Sequence, residues 1–395
     1  MELCVLLYSG GLDTSCMVRF IPEKYGIDVV TVTVDVGQKK DLKEVRDKAL
    51  RMGAREAFVI DAKKEFADDY IAKAIKANAL YEGAYPLSSA LSRPLIAKLA
   101  VKIAKQVNAG AIAHGCSGKG NDQVRFEVAI SSLAPDLRII APVREFGLTR
   151  DEELKFAQEH GIPLPKDAEY SIDENLWGRS IECGVLEDPS VDPPKDLLGF
   201  TLSPEEAPNK AERLSLEFEK GIPVALNGSE SNLFELIMSL NEIAGKHGVG
   251  HIDHIEDRVV GLKSREVYEC PAATVILKAH KDLEKLVCTK HENAFKPIVD
   301  QRWTELVYDG LWVDPLRNDL EKFIDEVNEK VEGKVRMKLY KGAAMVVGRE
   351  SPNALYDLKL SSYSGNGIFD QGASSGFIKL WGLHSKVASM TQNEV

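Results

Sequence analysis

Across residues 1–145 short β-branched runs alternate with helical stretches, and that alternation leaves few architectures open. The runs at 3–8, 29–34 and 57–60 read as strands, separated by a helix from about Ser15 and another over 41–52. In the latter, Leu42, Val45, Ala49 and Met52 recur at spacings of three and four, with Asp41 at the start and Gly53 placed to close it. Helices near 64–79 and 89–108 and strands at 111–114 and 137–143 continue the pattern. Parallel strands need helical crossovers, so this part is expected to be α/β, a doubly wound parallel sheet.

At 6–15 the first strand runs through LLYSGGLDTS straight into a helix. Gly10 and Gly11 permit close backbone approach, the helix start adds partial positive charge, and Ser9, Thr14 and Ser15 offer hydroxyls. This is anion-binding chemistry, yet neither GxxxxGK[ST] nor GxGxxG occurs and the motif carries no lysine. Asp13 would repel phosphate unless Mg²⁺ lay between or nearby, which points to a metal–nucleotide ligand. A plain Gly-Gly turn with Asp13 complementing the helix dipole is the alternative.

Thr149 and Glu152 form a capping-box pattern opening a helix that stops at Gly161. Prolines then crowd residues 162–210, including Pro163, Pro165, Pro189, Pro193 and Pro194, predicting a long irregular segment before a second α+β domain. A helix over 315–332 carries Leu316, Leu320, Phe323, Ile324, Val327 and Val331 on one face, closed by Gly333. It is expected to pack on a hairpin of 334–340 and 343–347 turned at Lys341 and Gly342. The tail from about 363 is rich in Gly and Ser, and its Trp381 and Leu383 suit a subunit contact or a docked terminus.

At 395 residues the chain is long enough for two or three domains, and 50 basic against 61 acidic side chains give a net charge of −11. That field repels nucleic acid and anionic lipid, so neither a nucleic acid nor a membrane is expected as partner. The six cysteines never fall into CxxC spacing, which argues against zinc ribbons and dithiol chemistry. Glu2 stands where a signal peptide has Lys or Arg, and the chain reads as cytoplasmic.

SGGLDTS resembles the pyrophosphate loop (PP-loop) of the N-type ATP pyrophosphatases, adenine nucleotide alpha hydrolase-like proteins. HGCSGKGNDQVRFE at 114–127 narrows this: the chain is similar to the argininosuccinate synthase family. VGQ at 36–38, ALYEGAYPL at 79–87, SLAP at 132–135, SIDENLWGRSIECG at 171–184, AGKHGVGHID at 244–253, LKSREVYE at 262–269 and VEGKV at 331–335 carry the likeness over nearly the full length. It implies an ATP-binding domain at 1–163, a citrulline- and aspartate-binding synthetase domain at 164–362, and an oligomerisation tail at 363–395 of a homotetramer. It also implies ligation of citrulline and aspartate into argininosuccinate, AMP and pyrophosphate through a citrullyl adenylate, in arginine biosynthesis, with ATP and Mg²⁺ as cofactors.

By resemblance, ATP falls to Leu7, Tyr8, Ser9, Gly10, Gly11, Leu12, Asp13, Thr14, Ser15, Val34 and Gly115. Aspartate falls to Ser117, Asn121 and Asp122, and citrulline to Tyr85, Asn121, Arg125, Ser171, Ser180, Glu256 and Tyr268. Asp13, Lys119 and Asp122 are the expected catalytic residues, with Lys119 on phosphate. Arg125 can fork onto an α-carboxylate while Glu256 pairs with an ammonium. Two positions depart from the family pattern. Ser117 replaces a frequent Thr with its hydroxyl kept, and Ala90 removes a Ser, leaving Ser89 to offer the neighbouring hydroxyl.

Blander readings compete. Arg125 and Glu127 could be solvated helix residues, Tyr85 and Tyr268 ordinary core aromatics, and Cys116 inert. His247, His251 and His254 have metal-like spacing, but Gly248 and Gly250 break any helix that would align them, so a structural role is expected. His114, at a strand end, could bond backbone or phosphate. The rival functions are another PP-loop pyrophosphatase, either tRNA-modifying or an amidotransferase-type synthetase, and a non-catalytic nucleotide-binding module. The acidic balance, the absence of paired cysteines and the opening directly on the loop disfavour the first. The second loop disfavours the other.

Overall fold

A computed structural model describes residues 2–163, 170–363 and 368–392. The chain divides into two compact units, Met1–Asn353 and Ala354–Val395. In the first, strands β1 (Leu3–Leu7), β2 (Asp28–Asp35), β3 (Glu56–Asp61), β4 (Ala111–Ala113) and β5 (Arg138–Ile140) form one parallel sheet in the order β3-β2-β1-β4-β5. Alternate residues of β1 feed two separate cores, as a strand covered on both faces requires. Val5 and Leu7 pack with Leu95, Leu99 and Ala100 of the helix Ser88–Gln106. Cys4 and Leu6 pack with Cys16, Met17 and Ile21 of the helix Leu12–Tyr25. The strand order reverses between β1 and β4, so the crevice beyond their carboxyl ends is where an open α/β sheet receives a ligand.

Several boundaries differ from expectation. The first helix starts at Leu12 rather than Ser15. The strand predicted over 137–143 is only Arg138–Ile140, because Pro142 opens the short helix Pro142–Glu145. Segment 162–210, expected to be irregular, contains the paired strands β6 (Tyr170–Asn175) and β7 (Gly178–Cys183); Pro165 lies outside the described residues. Asn175 makes that hairpin's turn: its side chain accepts from the Trp177 amide at 2.8 Å and donates to the Ser88 carbonyl at 2.8 Å. The turn signal was side-chain chemistry, not glycine or proline.

Strands β8 (Glu212–Glu219), β9 (Ile222–Leu226) and β10 (Ser229–Glu230) join a later hairpin in a second sheet. Strands β11 (His251–Asp257) and β12 (Lys263–Glu269) complete a four-stranded antiparallel sheet in the order β11-β12-β7-β6. The later hairpin, β13 (Gly333–Tyr340) and β14 (Ala343–Glu350), turns where expected, with φ 49° at Lys341 and 84° at Gly342. The helix before it ends at Asn328, short of Gly333, which instead opens β13. Of its expected apolar face Leu316 is exposed, while Ile324 and Val327 are buried.

The second unit holds the helices Ala373–Trp381 and Leu383–Gln392. Phe377, Ile378, Leu380, Trp381, Leu383, Val387 and Met390 are all at least half exposed. Among the described residues no helix is long and apolar enough to cross a membrane.

Candidate active site

The turn leaving β1 has the expected backbone. Gly10 lies at φ +75°, and a Cβ there would come 3.1 Å from Val45 Cγ1, so both handedness and space favour glycine. Gly11 is the N-cap residue and supplies no capping side chain, so amides of the first turn, including that of Asp13, remain for a ligand. Within the turn, Ser9 Oγ lies 3.2 Å from Thr14 Oγ1 and 3.3 Å from the Gly11 amide, and Ser15 Oγ donates to the Gly10 carbonyl at 3.4 Å. Leu7, Tyr8, Leu12, Ser15 and Val34 are buried beneath this turn, while Ser9 is exposed and Gly10, Gly11, Asp13 and Thr14 are half-buried. Tyr8 is fixed by its carbonyl, which accepts from Thr33 Oγ1 at 2.8 Å.

Asp13 is ion-paired with Arg150. Behind them Glu153 is buried; burial first, then the Asp13 charge, pushes its carboxyl up to about 8. Among the described residues no group of three or more His, Cys, Asp or Glu gathers as a metal site. Two lysines absent from the motif itself reach the turn from the next βα unit: Lys48 Nζ lies 3.0 Å from the Gly10 carbonyl and Lys40 Nζ 3.4 Å from that of Ser9.

The loop leaving β4 faces this turn. A Cβ on Gly115 would lie 3.4 Å from the backbone of Asp13 and Thr14, so the loops touch main chain to main chain. His114 is buried, accepts the Cys116 amide at 3.2 Å and pairs through Nε2 with Glu127 at 3.0 Å; Arg144 holds the same carboxylate at 2.6 Å. Glu127 is thus not a solvated residue. Burial pushes the Cys116 thiol well up, consistent with an inert side chain. Ser117 and Lys119 are exposed at the loop tip. The Lys119 carbonyl accepts from Arg258 at 3.2 Å, which ties the loop to the strand end at β11.

Asn121 and Asp122 open the following helix, Asp122–Leu133. Asp122 accepts Arg93 Nε and Nη2 at 2.9 and 2.7 Å on one oxygen and Arg125 Nη1 at 3.1 Å on the other. Burial by itself would raise this carboxyl, but the two guanidinium groups outweigh it and hold it down at about 2. Arg125 is buried, with Nε on the Tyr308 carbonyl at 3.0 Å and the guanidinium 4.9 Å from the Tyr308 ring centre. Among the described residues its buried Nη2 has no partner. A buried orphan donor on a guanidinium is what an arriving carboxylate would satisfy.

The register of the four-stranded sheet sets the rest. Ser180 lies opposite both Asp173 and Tyr268, Glu182 opposite Ser171, and Glu256 opposite Ser264. Directly opposed residues share a face, so Ser171, Ser180, Glu256 and Tyr268 stand on the same side of the sheet. Glu256 is buried, and its two oxygens accept Tyr268 OH at 2.6 Å and Tyr308 OH at 2.7 Å. Tyr268 stacks on buried Tyr85 at 4.2 Å. Tyr308 also accepts Asn121 Nδ2 at 2.9 Å, joining the helix at 122 to the sheet. Ser171 is exposed at the sheet margin.

Tyr308, Arg93 and Asp173 were missed from sequence: each sits in a helix or strand with no local signal of a ligand role. Ser89, expected to offer a hydroxyl beside Ala90, is held within the polar network of the site. Its Oγ donates to Asp173 at 2.6 Å and its amide to Tyr85 OH at 2.8 Å. His251 is exposed and His254 partly buried on opposite faces of one strand, and His247 lies in the cap of another element, so the three never converge.

Two family models match, the arginosuccinate synthase N-terminal HUP domain over residues 3–163 and the arginosuccinate synthase C-terminal domain over 170–388. The argininosuccinate synthase of Pyrococcus furiosus is 59% identical over 97% of this chain and 93% of its own. That of Halalkalibacterium halodurans is 54% identical over 99% of this chain and 96% of its own, and that of Listeria welshimeri 54% over 100% and 98%. With two facing loops at the sheet's switch point and both domain models matched in order, the chain belongs to the argininosuccinate synthase family.

Proposed function

We propose that this protein joins citrulline to aspartate at the expense of ATP, giving argininosuccinate, AMP and pyrophosphate. The observation that carries the reading is the contact of Gly115 with Asp13 and Thr14, at the helix start after the glycine turn, together with the buried Arg125–Tyr308–Glu256 cluster. It would set a polyphosphate site against an amino-acid site. ATP would lie with its β and γ phosphates on the first-turn amides and the hydroxyls of Ser9, Thr14 and Ser15, with adenine near Val34. Citrulline would place its α-carboxylate on the free Arg125 Nη2 and its ammonium on Glu256, lined by Tyr85, Asn121, Ser171, Ser180 and Tyr268. Aspartate would sit at Ser117, Asn121 and Asp122.

Held so, the ureido oxygen attacks the α-phosphorus and pyrophosphate leaves; the aspartate amine then attacks the activated carbon, AMP leaves and the amine loses a proton. The residues would mainly position and neutralise: Lys119 would serve the phosphates, and Asp122, locked by two arginines, stays anionic. Mg²⁺ would enter with the nucleotide, Asp13 exchanging Arg150 for the metal, and would neutralise the leaving pyrophosphate. Purified protein given Mg²⁺-ATP, citrulline and aspartate is expected to yield AMP and pyrophosphate in equal amounts. ADP, or AMP release indifferent to citrulline, would reject this reading, and full activity in EDTA would reject the metal.

We further infer a cytoplasmic homotetramer, its apolar tail helices buried against sister chains, and a functional division at 1–163, 164–362 and 363–395. Light scattering of the full chain and of a chain ending at 353 tests the assembly.

A further inference from the structure

The anion turn contains no cation of its own, yet two ammonium groups reach it from outside the motif. The helix Leu42–Arg51 is anchored at Asp41, whose carboxylate accepts the amides of Lys43 and Glu44. One face of that helix meets the turn twice: Val45 fills the space beside Gly10, and Lys48, three residues on, bonds the Gly10 carbonyl at 3.0 Å. Lys40, just before the helix, bonds the Ser9 carbonyl at 3.4 Å.

Among the described residues every peptide bond is trans, so in each the carbonyl and the following N–H point opposite ways. An ammonium on the Ser9 carbonyl therefore keeps the Gly10 N–H on the opposite edge of its peptide, and one on the Gly10 carbonyl does the same for the Gly11 N–H, which lies 3.3 Å from Ser9 Oγ. Glycines at both positions add little restraint of their own, and the Gly10 carbonyl's other partner, Ser15 Oγ at 3.4 Å, is farther away than Lys48. Among the described residues neither lysine forms an ion pair with a carboxylate, so their charges add to the potential at the turn rather than cancelling locally. Lys48 is half-buried, where screening by salt is weaker than for exposed Lys40.

We propose that Lys48, assisted by Lys40, is a positioning residue of the polyphosphate site: it locks the Ser9–Gly11 peptides with their N–H edge toward the ligand and supplies the positive field the motif lacks. This rests on the ATP reading above, and pyrophosphate, the product expected in that turn, is the probe. Calorimetric titration of the full-length protein with Mg²⁺-pyrophosphate across a NaCl series is expected to give at least tenfold weaker binding for Lys48→Met. A shallower salt dependence should accompany it, with a smaller loss for Lys40→Met and substantial recovery in Lys48→Arg. The KM for citrulline should move less than twofold. A Lys48→Met protein that binds within twofold of the parent with the same salt slope overturns the proposal, as does an equal loss for citrulline. If Lys48→Met does not fold, Lys48→Gln and Lys40→Met decide: unchanged affinity and slope in both overturn it. Failure of the parent protein itself to bind pyrophosphate would instead sink the ATP reading.

Discussion

The nucleotide turn and the amino-acid pocket are built by opposite means. The turn is a contiguous stretch of ten residues, partly open to solvent, and what it offers a ligand is backbone amides and small hydroxyls. The proposed pocket is drawn from residues 85, 121–125, 171–180, 256–268 and 308, is largely buried, and would bind through side chains already bonded to one another. In the first, specificity for charge comes from chain geometry, so changes to backbone freedom are the damaging ones. In the second it comes from a satisfied polar network with one donor left over, so removing any partner strands another.

The comparison is broken most severely at Gly10. Gly10→Ala forces a side chain into φ +75° and against Val45, and kcat/KM for ATP is expected to fall at least about 100-fold while unfolding stability drops by only about 1 kcal/mol. A variant with near-parental kinetics would show that the turn does not need its backbone form. Next, Arg125→Lys keeps the charge and loses the fork. The citrulline KM should rise roughly 50-fold, about 2 kcal/mol, with the ATP KM little changed. Equal effects on both substrates would contradict separate sites.

Tyr308→Phe removes one hydroxyl that serves Glu256 and Asn121 together, and should raise the citrulline KM about tenfold at constant kcat. A fall in kcat alone would instead place Tyr308 with the reacting atoms. The smallest effect concerns Asp122. Its folded carboxyl is held at about 2, below the ordinary 3.8, so it stabilises the fold above pH 3.8 and this contribution is lost as pH falls toward 2. After allowance for partial exposure this is roughly 1 kcal/mol, and Asp122→Asn should flatten that limb of a chemical-denaturation profile against pH. An unchanged limb would mean the arginine clamp is electrostatically idle.

Strand–glycine–helix order made the turn readable, because hydrophobic runs and glycines declare themselves within a few residues. The same held for the capping box at Thr149 and Glu152 and for the Lys341–Gly342 hairpin. The β6–β7 hairpin was lost among prolines because its turn is made by the Asn175 side chain rather than by glycine. Tyr308 and Arg93 were lost for another reason: their partners lie 187 and 29 residues away, and nothing in their own surroundings marks them. The partner of Ser89 was equally illegible, because adjacency in sequence says nothing of which acceptor a hydroxyl will meet, here Asp173.

The amino-acid sequence by itself determined the alternating sheet, the anion turn, the absence of a cation within that turn, and the family. Each follows from covalent neighbours, whose geometry a few residues fix. Only the tertiary structure decided that Lys48 stands over Gly10, that Arg125 keeps one unbonded nitrogen, and that Glu256 is gripped by two tyrosines. Those depend on strand order, register and helix packing. The free energy that sets them is shared across the whole core, so no local stretch of sequence contains the answer.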